Sequence, residues 1–147
     1  MNAVPVFGTR LPGVKYQYRP SAYALVRDVE GNFAVAQTPE ACFLPGGGID
    51  AGETPEQAVE REGQEECGLV LRSVSRIGQA IEICKSISDA AYYEKDSIFL
   101  TAHVIGNTTA SESDHQLLWL SPEKAIEALS HGSHRWAVQR LLGHNQT

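Results

Sequence analysis

The sequence predicts an α+β fold built around a mixed sheet, and three observations carry that prediction. Short apolar stretches with strand character lie on both sides of a helix whose two ends are both marked. Strands and helices follow one another without regular βαβ alternation, which favours α+β or a mixed-sheet sandwich over a doubly wound fold. The 147 residues, 42% hydrophobic and 20% charged, have the size and balance of one globular domain with its own core. No internal repeat, low-complexity tract or linker-like block divides them, so a single domain over residues 1–147 is expected.

Taken in order, Val14 to Tyr18 can add an edge strand to a first strand at Ser21 to Asp28. Glu30-Gly31-Asn32 offers a hairpin turn to a partner at Phe33 to Gln37. Ala41 to Leu44 is a short strand stopped by Pro45 and three glycines. The next helix begins at Thr54, a good N-cap, with Pro55 at its first position and Gln57 completing a capping box. Gly68 stands where a left-handed C-terminal cap belongs. Leu69 to Ser75 and Gly78 to Cys84 read as two strands or one long bent one. Ser97 to Ile105 and Leu117 to Leu120 follow as strands. Pro122 starts a helix over Glu123 to Leu129, and Ser133 is expected to cap a closing helix through Leu142.

The formal net charge is -6 and the pI about 5.3. An acidic chain is a poor match for a nucleic-acid backbone, whose binding depends on clustered Lys and Arg. It does not exclude a single nucleotide, because a bound cation reverses the local field. Cys42, Cys67 and Cys84 are odd in number, widely spaced and without a C-x-x-C, so neither a disulfide scaffold nor a zinc site is indicated. Met1 to Arg10 has no apolar signal core and no run approaches membrane-spanning length, which makes a cytoplasmic protein the expectation.

The chemistry concentrates in residues 47–69. Glu62, Glu65 and Glu66 stand at i, i+3 and i+4, so their carboxylates share one helix face. Like charges at that spacing cost about 0.2–0.5 kcal/mol per pair, and the helix dipole disfavours anions near the C-terminal end. A hard divalent cation bound by oxygens removes the penalty. Gly63 costs a further ~1 kcal/mol inside the helix, for which close packing against the sheet is a reason. Gly46, Gly47 and Gly48 let the backbone approach a ligand, and a carbonyl there can complete an oxygen shell. Carboxylates, glycines and helix together point to metal-assisted phosphoryl chemistry on a polyanion.

This segment resembles the Nudix box, G-x5-E-x7-R-E-U-x-E-E-x-G-U with U apolar. Gly47, Glu53, Arg61, Glu62, Glu65, Glu66, Gly68 and Leu69 each fill their places, and the one departure is Gly63, where the family usually has a bulky aliphatic residue. Leu44-Pro45, the strand pair before it, and Trp119 followed by a Pro-started helix are also Nudix-like. The resemblance implies an α/β/α sandwich around a mixed sheet over nearly the whole chain. It further implies a Mg2+-dependent pyrophosphohydrolase, with Mn2+ as a substitute, acting on a nucleoside diphosphate linked to a moiety X. Dimerisation is implied by analogy alone.

Roles follow from the same resemblance. Glu62 and Glu66 are implied as the main metal ligands, Glu65 as a further ligand or general base, and the Gly46 carbonyl as an additional ligand. Arg61 orients a catalytic carboxylate, and Glu53 holds the loop–helix junction by pairing with it. An extra carboxylate is expected in the loop Thr108 to His115, with Glu112 a better candidate than Asp114. Arg19 is the candidate for the substrate phosphates, and Tyr16, Tyr18, Tyr23, Tyr92 and Tyr93 are alternatives for stacking, although aromatics on strands more often pack the sheet. Phe43 and Trp119 are expected in the core, and His131 and His134 as caps or flanks of the last helix. No H-E-x-x-H, Ser-His-Asp or Cys-His arrangement is present, so a covalent nucleophile is not indicated. Three rivals stand behind this reading. An isopentenyl diphosphate isomerase lacks its cysteine and glutamate motifs here; a sensing or protein-binding module on a retained Nudix fold would typically have lost box carboxylates; an acidic structural domain would not bind magnesium.

Overall fold

The computed structural model describes residues 3–86, 89–112 and 114–145. The Met1 to Arg10 stretch and the Thr108 to His115 loop are therefore described in part. The described chain forms β1 (Val6–Phe7), β2 (Gln17–Leu25), β3 (Phe33–Gln37), β4 (Cys42–Phe43), β5 (Gly46–Gly48), α1 (Pro55–Cys67), β6 (Leu69–Lys85), β7 (Tyr92–Asn107), β8 (Gln116–Leu120), α2 (Pro122–Ala128) and α3 (Gly132–Asn145). A five-stranded mixed sheet has the order β1-β6-β7-β2-β5, and a three-stranded sheet the order β4-β3-β8.

Alternation along β2 explains why both faces of the larger sheet are covered. Ala22, Ala24 and Val26 face one way and pack with Leu69, Leu71, Leu100 and Ala102 against Ala58 and Val59 of α1. Tyr23 and Leu25 face the other way and pack with Phe33, Val35, Leu44 and Phe99 against Ala125, Leu129, Ala137 and Val138 from the α2–α3 region. The result is the expected α/β/α layering. No helix among the described residues is long and apolar enough to cross a membrane.

Several expected elements take a different form. The edge strand at Val14 to Tyr18 and the strand at Ser21 to Asp28 are replaced by one strand, β2, which pairs along its length with parallel β7 and at Ser21–Tyr23 with β5. Pro20 falls inside it, with its carbonyl accepting from Ile49 N–H. The Glu30-Gly31-Asn32 turn forms, with Gly31 at φ 87° and Asp28 accepting from Glu30 and Asn32 N–H. Its two arms then part, because β3 pairs with β4 and β8 instead. The three glycines are not a loop: they form β5, antiparallel to β2. β6 is one long strand, with register shifts between Val70/Leu71, Ser73/Ser75 and Arg76/Gly78 where it bends against β7.

Helix α1 has the ends its sequence marks. Thr54 accepts from Gln57 N–H, the Gln57 side chain returns to Thr54 N–H, and Gly68 is left-handed at φ 66°. Helix α3 starts two residues earlier than a Ser133 cap requires. The His131 carbonyl accepts from His134 and Arg135 N–H, and the buried carboxylate of Glu82 on β6 accepts from Ser133 N–H at 2.9 Å. An anion from a neighbouring strand thus satisfies the helix end.

Candidate active site

Helix α1 presents its carboxylates at the edge of the sheet where β5 ends. Side-chain exposure falls from 37% at Glu65 to 16% at Glu62 and 9% at Glu66. Gly46 N–H donates to Glu66 Oε1 at 3.0 Å, tying β5 to the helix. Gly46 must be glycine: its φ is 150°, and a Cβ there would stand 2.1 Å from the Ala22 carbonyl oxygen.

Arg61 joins the parts. Its Nε donates to Glu53 Oε2 at 2.7 Å and Nη2 to Glu53 Oε1 at 3.1 Å, a bidentate pair. Nη1 reaches Glu62 at 2.9 Å and Glu65 at 3.2 Å, while Nη2 also donates to the Gly48 carbonyl at 3.0 Å. The hydrogen bond from Arg61 holds Glu53 below the usual carboxylate range, and the bond to Glu53 raises the guanidinium in turn.

Glu66 is the electrostatic anomaly. Burial pushes its pKa well above the ordinary carboxylate value; the Gly46 N–H opposes this, and the charges of Glu62, Glu112 and Glu65 add to it. Burial raises Glu62 as well, against the pull of Arg61. Glu112 comes in from the loop before β8, where its own N–H donates to the Glu65 carbonyl at 3.0 Å. Oxygen and nitrogen atoms of Glu66, Glu112 and His115 lie within 4.8 Å of one another, as do oxygens of Glu62, Glu65 and Glu112. His115 Nε2 stands 3.4 Å from Glu66 and Nδ1 3.1 Å from Glu112. Such a donor set fits a divalent cation bound mainly by oxygen.

A cavity of about 360 Å³ opens on Glu62, Glu66, Gly46, Gly47 and Gly48, with Arg19 and Tyr93 in its wall. A second, of about 840 Å³, continues past Phe43 toward Pro39, Ala41, Ser130 and His131. The structure thus brings together Glu62, Glu65, Glu66, Arg61, Gly46, Glu53 and Glu112, and sets Arg19 across the cavity. Asp114 is 73% exposed and outside both carboxylate groups. Tyr23 and Tyr93 line the smaller cavity, but Tyr16 packs on Tyr92 and Tyr18 donates to Asp96 elsewhere. Phe43 is half-buried and lines both cavities, unlike the core residue expected, because β4 ends there at a cavity wall. Trp119 packs against the α1-side core. His134 is a fully buried core residue whose Nδ1 accepts from Leu44 N–H at 3.2 Å.

Lys95 and His115 are among the lining residues that the sequence does not single out. Lys95 shares a strand face with Tyr93 and Ser97, in the part of β7 that precedes the strand expected from Ser97. His115 lies three residues after Glu112 in an irregular loop, where no periodicity announces its direction.

Comparison with known proteins agrees with this geometry. A family model described as the NUDIX domain matches residues 17–141. An 8-oxo-dGTP diphosphatase from Haemophilus influenzae is 69% identical over 27 residues, which are 18% of this chain and 20% of that protein. This chain thus matches about a fifth of that curated relative. Among solved structures, a MutT protein from Methanosarcina mazei Go1 superposes with a TM-score of 0.73 at 22% identity, over 92% of this chain and all of that one. A NUDIX hydrolase from Nitrosomonas europaea gives 0.72 at 14% identity, over 87% and 90%. At such identities the superpositions establish the fold. The family match over most of its length and the fold agree: this chain belongs to the NUDIX family.

Proposed function

We propose that the protein is a magnesium-dependent pyrophosphohydrolase that cleaves the diphosphate linkage of a nucleoside diphosphate joined to a moiety X, with Mn2+ able to replace Mg2+. The observation that carries this reading is the buried Glu66 carboxylate, set among Glu62, Glu65 and Glu112, with Arg61 bonded to Glu62 and Glu65 and not to Glu66. Buried like charges of this kind are costly unless a cation joins them. The names of the relatives above, a diphosphatase of an oxidised nucleotide among them, support a nucleotide-derived substrate.

Glu62, Glu66 and the Gly46 carbonyl would hold the metal, with Glu65 and Glu112 beside them. Bound there, magnesium neutralises phosphate charge and lowers the pKa of water. The residues supply the rest. Glu65, the most exposed of the three helix carboxylates, receives the proton of the attacking water, a role Glu66 would fill if Glu65 serves as ligand. Arg61 keeps Glu62 and Glu65 in place through the anchor at Glu53, and Arg19 binds the substrate phosphates from the opposite wall. Water attacks one phosphorus in line, and the products are two phosphate-bearing fragments. A single cytoplasmic domain, dimeric by analogy with the family, is the accompanying reading.

The test is phosphate release from a panel of nucleoside diphosphate derivatives with magnesium and a coupling phosphatase, wild type against Glu66→Gln. Turnover that vanishes in the variant supports the hydrolase and ranks the candidates for X. A folded wild-type protein that binds magnesium and turns over nothing in a broad panel would move the reading to a sensing module.

A further inference from the structure

The two cavities share Phe43, Ser86, Lys95, Glu112 and His115, and of these five Lys95 carries the fixed positive charge. Arg19 of β2 and Lys95 of β7 are direct partners across the parallel ladder, so their side chains leave the sheet on the same face. Both line the smaller cavity with Glu62 and Glu66. Their settings differ. The Arg19 guanidinium lies where a side chain at Gly48 would be, since a Cβ there would be 2.7 Å from its Nη2. Its Cζ is also 5.5 Å from the centre of the Tyr93 ring, so it is held at the far wall of the smaller cavity, outside the lining of the larger.

Lys95 lines both cavities, with Nζ 5.8 Å from the centre of the Phe43 ring. No carboxylate among the described residues lies within ion-pair distance of either cation. The larger cavity combines the apolar Pro39, Ala41 and Phe43 with polar groups, Glu40, Lys85 and His131 among them, a lining suited to a ring that carries hydrogen-bonding groups.

We propose that Lys95 sets the direction of the substrate: its ammonium holds the phosphate that bears the nucleoside, with the nucleoside in the larger cavity, while Arg19 holds the second phosphate, the one that bears X. This deepens the pyrophosphohydrolase reading and rests on it for the position of the diphosphate. Lysine suits the border because a compact charge on a flexible stem can meet a phosphate without fixing its rotation. The planar Arg19 fork, packed on Tyr93 and Gly48, suits the two non-bridging oxygens of the X-bearing phosphate. Lys95 is a specificity-determining residue in this account and takes no part in proton transfer.

Equilibrium binding by calorimetry tests the assignment, with calcium in place of magnesium to suppress turnover. The probes are AMP, GMP, CMP and UMP with the corresponding diphosphates; the proteins are wild type, Lys95→Met, Arg19→Met and the surface control Lys124→Met. For the base bound best, Lys95→Met weakens the monophosphate and the diphosphate tenfold or more. Arg19→Met weakens the diphosphate comparably but the monophosphate by threefold or less, and Lys124→Met changes neither. With the preferred substrate, Lys95→Met raises KM and leaves kcat within a few-fold, as loss of uniform binding requires. Thermal melting confirms that each variant is folded, and Lys95→Gln replaces Lys95→Met if the latter is not. Monophosphate binding that depends on Arg19 and not on Lys95, unchanged binding in Lys95→Met, or a wild type that binds none of the nucleotides would each overturn the proposal. Failure of the hydrolase reading shows separately, as a wild type that turns over nothing in the substrate panel, because these binding measurements need no turnover.

Discussion

Gly46 N–H donates to Glu66 Oε1 at 3.0 Å, and this one bond joins the edge strand β5 to the carboxylate end of α1. It holds the Glu66 side chain where burial disfavours its charge. The folded-state pKa is raised, so the stability Glu66 contributes is full below the ordinary glutamate pKa and is lost as the pH rises through the folded value. Glutamine keeps the acceptor and removes the charge. Metal-free Glu66→Gln is therefore expected to be more stable than wild type at pH 7.5, by about 0.5–2 kcal/mol, while turnover falls at least about 100-fold. Thermal melting in chelator and a steady-state assay measure both; a less stable metal-free variant would contradict the burial argument.

Arg61 spans Glu53, Glu62, Glu65 and the Gly48 carbonyl with one planar group. Lysine keeps the charge and loses the fork. Arg61→Lys is expected to lower kcat/KM by about 10–100-fold, the usual scale for a residue that orients ligands, and to weaken metal binding in parallel. Magnesium titration followed by activity and by calorimetry checks this, and a variant with unchanged magnesium affinity would confine Arg61 to a fold-stabilising role.

Gly63 departs from the family pattern because Leu71 of β6 occupies its side-chain space. A Cβ on Gly63 would lie 2.6 Å from Leu71 Cδ1. Alanine gains about 1 kcal/mol of helix propensity but collides with a packed leucine at a cost of about 1–3 kcal/mol. Gly63→Ala should therefore be neutral to destabilising in wild type and stabilising in a Leu71→Val background. A double-mutant cycle by urea unfolding should return a coupling of at least about 1 kcal/mol; additivity would refute the packing explanation.

His134 is buried and His131 largely buried beside Phe43, and both are kept neutral. Burial lowers His131 to about 3 and takes His134 well below its ordinary value. The unfolded chain binds their protons first, so their contribution is complete above about pH 6.5 and is lost as the pH falls, by about 1.4 kcal/mol per unit for each histidine. Asparagine is a good helix N-cap and suits the position of His131. The stability difference between wild type and His131→Asn should shift by about 1.4 kcal/mol against wild type between pH 7.5 and 5.5. Urea unfolding at the two pH values measures it, and a difference independent of pH would show that His131 is not held neutral.

Much of the site was legible before any fold was known, because its centre is local. Thr54, Gln57 and Gly68 delimit α1 through caps that operate within a few residues, and the i, i+3, i+4 spacing of Glu62, Glu65 and Glu66 places them on one face by helix geometry alone. The Glu53–Arg61 pair was implied by the resemblance to the Nudix box and not by helix geometry, and the structure forms it. The hairpin at Glu30 to Asn32 shows the limit. Its turn chemistry was readable, yet the arms diverge into two sheets because β3 finds β8, more than 80 residues away.

By itself, the sequence determined the carboxylate helix, its caps and the family chemistry they imply. The tertiary structure alone decided what that helix faces. Parallel pairing of β2 with β7 puts Lys95 beside Arg19, the loop before β8 delivers Glu112 and His115 to Glu66, and β4 turns Phe43 into a cavity wall. The physical reason is one of range. Backbone geometry sets side-chain directions within an element, whereas partners distant in the chain meet only where strand register and core packing bring them together.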